Sequence, residues 1–231
     1  SVDMIYFELL NLLKKIMGKT GLETTSALSL DRLQALTDGI FAIAMTILVL
    51  AIDVPESSPS MTGETLHKAI LSQSNQLISY FTSFLLLALF WIINHKQTTF
   101  LLKTNGTHTW INIFIMIFIC LVPYTTSLKG SFIDDWMSNL YWNLNMFFIA
   151  LLYTINSIYI SKQKLFDESR VTRHSLKSGR FANISFLVIV IIASVASVYT
   201  PENSAYIYFL IPLLKFFEAK FSKKKAAAVD I

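Results

Sequence analysis

Apolar residues fall into six blocks: residues 33–52, 77–93, 110–128, 136–160, 181–199 and 205–217. The first five are long enough, at about 1.5 Å rise per residue, to cross the hydrocarbon core of a bilayer. The sixth is short and contains Pro212 and Lys215. Each is predicted to be a helix, because a lone strand in lipid leaves its backbone groups unpaired. Barrel strands would be about 10 residues long with alternating polarity, and these runs do not alternate. Trp91, Trp110, Trp136 and Trp142 lie near block ends, where interfacial aromatics collect. The expected fold class is all-α, a polytopic membrane protein of six spans.

Charge sets the orientation of those spans. On alternate sides of the blocks, 17 of the 19 Lys and Arg fall on one side. Only Lys68 and Lys129 fall on the other, beside Asp53, Glu56, Glu64, Asp134, Asp135 and Glu202. The positive-inside rule then places both termini in the cytoplasm. This asymmetry supports the sixth span despite its weak apolar run; with five spans, Lys223 to Lys225 would lie outside. Residues 1–30 read as a cytoplasmic amphipathic segment, with Leu9, Leu10, Leu13 and Ile16 at helical spacing. It lies on the inner leaflet or packs beneath the bundle. Residues 31–221 form the transmembrane domain and 222–231 a cytoplasmic tail.

Composition narrows the function. Of 231 residues, 15% are charged, well below the roughly 25% of a soluble domain. The net charge of +4 is the bias of the cytoplasmic loops and not a nucleic-acid footprint. A single cysteine, Cys120, excludes disulfide scaffolds and Cys-ligated zinc, and reads as a small buried apolar residue. There is no phosphate-cradling glycine loop, nucleophile elbow or H-E-x-x-H, so no enzyme is expected. No metal or cofactor site is expected either. His67, His108 and His174 fall in predicted loops or span ends, and no second His or Cys stands at ligand spacing to His95. Asn112, Asn143, Asn145 and Asn156 are expected to hydrogen-bond between helices. The glycosylation patterns at Asn105 and Asn183 are chance matches.

The first span is unlike the others. It holds an acidic residue, Asp38, about a turn and a half inside the helix, and the small residues Gly39, Ala42, Ala44 and Thr46. An intramembrane carboxylate is unfavourable unless paired or hydrated. With Ile43 as reference and 100° per residue, Thr46, Ile47 and Leu50 fall within roughly 60° of it, whereas Asp38 falls at roughly −140°. Asp38 and the Ile43/Thr46/Ile47/Leu50 stripe therefore cannot line the same surface. Such a stripe alone also fits any buried or lipid-facing helix.

The run Arg32, Leu36-Thr37-Asp38, followed by residues 39–50, resembles the R-x-x-x-F-S-D signature of the transmembrane protein 175 potassium channels. Trp91, Asn94-His95, Phe100 and Pro123-Tyr124 add support. Here Thr keeps the Ser hydroxyl, and Leu36 replaces the Phe ring. The resemblance implies a homotetramer in the prokaryotic cell membrane, with a potassium pore lined by four copies of the first helix. It implies side-chain rings at Ile43, Ile47 and Leu50 with a Thr46 hydroxyl layer, in place of a carbonyl filter. The sequence has no T-V-G-Y-G loop. Potassium would pass near Ile43, Thr46 and Leu50 as the permeant ion, with no cofactor. The resemblance makes Arg32, Thr37, Asp38 and His95 structural. Arg32 and Asp38, six apart, do not face each other, so His95 is the expected partner of Asp38. A secondary transporter or exchanger is the alternative, because Pro123 and Pro212 interrupt the third and sixth blocks, a three-span period. A membrane scaffold without transport is the third reading.

Overall fold

The computed structural model describes residues 29–55, 62–132, 135–167, 173–200 and 207–208, with only the backbone given for 173–182. The chain in these segments is helical. Helix α1 is Leu30–Ile47, continued by a 3-10 turn Leu48–Ala51. Helix α2 is Gly63–Ser72, α3 Ser74–Thr99 and α4 Gly106–Ser131. Helix α5 is Trp136–Lys162 and α6 Arg173–Tyr199. By length and composition, four helices can cross a membrane: α1 with its 3-10 turn, α3, α4 and α5. Within α6, Asn183–Tyr199 is a shorter apolar stretch. The expected amphipathic segment and C-terminal tail lie outside the described residues, apart from Ser29 and Leu30. Of the expected sixth span only Ile207 and Tyr208 are described.

Local chemistry sets the helix starts. Asn105 caps α4, its Oδ1 accepting from His108 N at 2.9 Å, and also accepts from the Tyr159 hydroxyl at 3.1 Å. Asp135 caps α5 by accepting from Met137 N at 2.9 Å. The short α2 begins with a capping box between Thr62 and Thr65. Sequence reading missed this helix, because ten residues with polar spacing fall below any span criterion.

Helix α5 packs between α4 and α6; α4 also packs against α3, and α1 lies across α4 and α3. Two sets of contacts define the ends of the bundle. At the near end, the loops after α3 and α5 pair through Leu102 N to Leu165 O and Asp167 N to Phe100 O, both at 2.9 Å. At the far end, the chain after α1 is tied to the start of α3. Gln76 Nε2 donates to Asp53 Oδ2 at 2.8 Å and Gln73 Nε2 to Asp53 O at 2.6 Å. The middle of the bundle is apolar, built from Leu86, Leu87, Phe90, Ile115, Ile119, Met146, Ile149 and Val190.

Several sequence expectations change here. Trp142 is fully buried and not interfacial. Helix α4 runs three residues past the expected end, so Lys129 is buried in its last turn instead of lying in a loop. Cys120 is exposed, because its position on α4 faces away from α3 and α5. His108 is buried within α4, its Nδ1 paired with Thr104 Oγ1 at 2.8 Å. Asn112 turns back to its own helix and donates to His108 O at 2.8 Å. The other three asparagines do bond between segments: Asn156 to Gln97, Asn145 to Thr125, and Asn143 from Tyr208.

Candidate functional site

Helix α1 divides into two faces. Leu33, Thr37, Phe41 and Ala44 are buried against the bundle, as is Leu48 in the 3-10 turn. The Thr37 hydroxyl donates to Leu33 O at 2.8 Å and lies 3.7 Å from Met116 Sδ, which seats this face on α4. The opposite face is open. Ile43 is 59% exposed, Ile47 45% and Leu50 75%, and Leu36, Ala42 and Thr46 are also exposed. A Cβ built on Gly39 would meet nothing within 4 Å. On the helical wheel the exposed arc runs from Asp38 to Ile47, about 180° wide, with Ile43 and Thr46 near its middle. The 3-10 winding turns Leu50 by roughly 60° from its α-helical direction. That moves it across the stripe to the Ile47 side. Thr46 Oγ1 donates to Ile43 O at 2.8 Å, which leaves its lone pairs turned outward.

Asp38 is joined to α3, but not by the expected residue. Its Oδ1 accepts from Trp91 Nε1 at 2.8 Å. His95, one turn further on, stacks against the Trp91 ring with centroids 5.7 Å apart. His95 therefore orients the tryptophan, and the tryptophan holds the carboxylate. The indole N–H is a donor in every protonation state, whereas a histidine supplies one only in the right tautomer. Sequence reading assigned Trp91 to the membrane interface, and that hid its second use. Arg32 is exposed at the start of α1 and is not brought to Asp38. Among the described residues, no group of three or more His, Cys, Asp or Glu could hold a metal.

Comparison with known proteins points to one family. The family model described as "Endosomal/lysosomal potassium channel TMEM175" matches residues 32–123, which hold α1, α3 and the first two-thirds of α4. A potassium channel from Chryseobacterium is 24% identical over 185 residues, covering 79% of this chain and 90% of that one. Two further bacterial potassium channels, from Streptomyces collinus and Chamaesiphon minutus, are matched over about half their length. A chicken relative named as an endosomal/lysosomal proton channel is 30% identical over 114 residues, 46% of this chain and 22% of that one. The crystal structure of a lysosomal potassium-selective channel TMEM175 homolog from Chamaesiphon minutus superposes with a TM-score of 0.72 at 19% identity. It covers 82% of this chain and 97% of that one. The fold, the α1 segment with its Arg32-to-Asp38 motif and the bacterial relatives point the same way: residues 32–123 of this chain are similar to the TMEM175 family of ion channels.

Proposed function

We propose that this protein is a potassium-permeable cation channel, a homotetramer whose pore is lined by the exposed face of α1. The observation that carries the reading is that face itself. A helix anchored along one side by Leu33, Thr37, Phe41 and Ala44 leaves Ile43, Thr46, Ile47 and Leu50 exposed on the other. The exposed arc is wider than the stripe. That leaves the Asp38 side of the arc for a flanking copy to pack on while the stripe faces an axis. One stripe of four side chains cannot enclose a pore, so several copies are required.

In this reading the rings of Ile43 and Leu50 exclude water when closed and gate by dewetting. Widening admits a partly hydrated potassium ion, and the outward lone pairs of Thr46 offer it oxygen contacts. Selectivity is modest, because few protein ligands replace the hydration shell. Arg32, Thr37, Asp38 and His95 hold α1 to the bundle, with Trp91 as the link between Asp38 and His95. No resident cofactor is involved. The protein sits in a prokaryotic cell membrane with both termini cytoplasmic, as the basic residues at the near end favour.

Purified protein in liposomes with a potassium gradient tests the proposal. A channel discharges the gradient passively at a rate set by voltage, an exchanger requires a second ion, and a scaffold does neither. Ile43→Asn and Ile43→Ala are expected to raise flux and change the preference between potassium and sodium. Unchanged flux and preference in both would remove Ile43 from the constriction. Proton conduction is a second reading, favoured by the name of the chicken relative. A pH-sensitive dye inside the same liposomes separates it, since acidification without potassium discharge would displace the potassium reading.

A further inference from the structure

In the far-end half of the bundle, the buried side-chain groups left unpaired among the described residues are mostly donors. Lys129, in the last turn of α4, is 1% exposed. Its ammonium lies 3.8 Å from the centre of the Trp142 ring and has no hydrogen-bond partner. The ring face attracts the charge but leaves the three N–H groups without an oxygen acceptor. Trp142 Nε1 donates to Ser83 Oγ at 3.0 Å, and Thr126 Oγ1 donates to the same oxygen at 2.7 Å. Both lone pairs of Ser83 are thus taken, and its own proton is left to give. Asn143 Oδ1 accepts from the Tyr208 hydroxyl at 2.6 Å, while the buried Asn143 Nδ2 has no partner. The Tyr208 ring packs edge-on against Trp142 with centroids 4.9 Å apart. Lys129, Ser83 and the Tyr208–Asn143 pair are therefore grouped around one indole.

Among the described residues, side-chain acceptors do not balance these donors. Helices α3, α4 and α5 contain no Asp or Glu. Asp53 and Asp135, at this end, are exposed and already accept from Gln76 and Met137. Asn145 Oδ1 is the one unpaired buried side-chain acceptor at this end among the described residues. A Cβ added to Gly130 would lie 3.3 Å from Gln76 Cα, so α3 and α4 close together directly beside Lys129. A buried ammonium without a counter-charge is strongly unfavourable. A water molecule would bring two more donors of its own, whereas an anion brings only acceptors and the missing charge.

We propose that this cluster binds a small monovalent anion of the halide kind, held by the Lys129 ammonium with the Ser83 hydroxyl and the Asn143 amide as further donors. The close approach of α3 and α4 favours a halide over a carboxylate ligand. The proposal does not depend on what the α1 face conducts.

The test is the thermal unfolding midpoint of the whole chain in detergent. It is measured in potassium chloride, potassium bromide and potassium gluconate at equal ionic strength. Chloride and bromide are expected to raise the midpoint by several degrees over gluconate, as a ligand that binds only the folded state does. Lys129→Met and Lys129→Gln are expected to abolish the difference. Equal midpoints in the three salts, or a difference that survives in both variants, would overturn the proposal. If neither variant folds, anomalous scattering from bromide in crystals of the unaltered protein decides. A peak beside Lys129 supports the site, and no peak there overturns it.

Discussion

Ser83 is a junction of three helices, and its removal has a calculable effect. It sits on α3, is fully buried, and accepts from Thr126 on α4 and Trp142 on α5. Ser83→Ala deletes that acceptor and strands both donors in an apolar interior. For hydrogen bonds between membrane helices the measured average is about 0.6 kcal/mol each, with a maximum near 1.7. Two bonds give about 1 to 3 kcal/mol. At about 2–4 °C per kcal/mol for a chain of this size, the unfolding midpoint should fall by roughly 2 to 12 °C. The assay is thermal unfolding in detergent, followed by tryptophan fluorescence. The partner variant Thr126→Val removes one bond without stranding a donor, so it should cost less than Ser83→Ala. The double variant should cost less than the sum of the two, because the stranded Thr126 hydroxyl is then gone. A Ser83→Ala midpoint equal to that of the parent, or strictly additive single variants, would refute the three-helix junction.

Three further outcomes follow from other contacts. Asp38→Asn keeps an oxygen for the Trp91 N–H and should leave the proposed tetramer intact, whereas Trp91→Phe should weaken assembly; size-exclusion chromatography of both checks this, and equal behaviour would mean the bond is dispensable. Asn105→Ala removes the α4 cap and the Tyr159 acceptor together, and should destabilise by about 1–2 kcal/mol in denaturant unfolding. Tyr159→Phe should cost less. Thr62→Ala should open the capping box of α2, an effect read as faster amide exchange over residues 63–66 with no change in α3.

How much of this was legible in the sequence depends on what each residue's partner is. Block length revealed the four helices long and apolar enough to span among the described residues, because bilayer thickness acts on every span alike. The wheel of α1 was readable in part: helical periodicity is local and grouped the Ile43 stripe, but Asp38, expected on another surface, lies at the edge of the same exposed arc. Partners across helices were not readable. Trp91 and Trp142 occupy similar places near block ends. Yet one reaches across to a carboxylate on α1, and the other is sealed under a lysine. Nothing in a single sequence distinguishes a tryptophan that anchors to headgroups from one that turns inward, because the choice is made by the helix packed against it.

The same reasoning bears on two charged residues of the bundle, the exposed Asp38 and the buried Lys129, which are held in opposite ways. Asp38 lies at the rim of the bundle with a neutral donor held against it by a stacked ring, so its charge is solvated by a side chain of its own protein. Lys129 lies inside the bundle, with only a ring face beside it and donors all around. A carboxylate can be satisfied by the hydroxyls, amides and indoles that membrane helices carry freely. An ammonium needs acceptors, and Lys129 finds none among the described residues. That asymmetry makes the aspartate a fastening and directs the lysine towards a partner the chain does not itself provide.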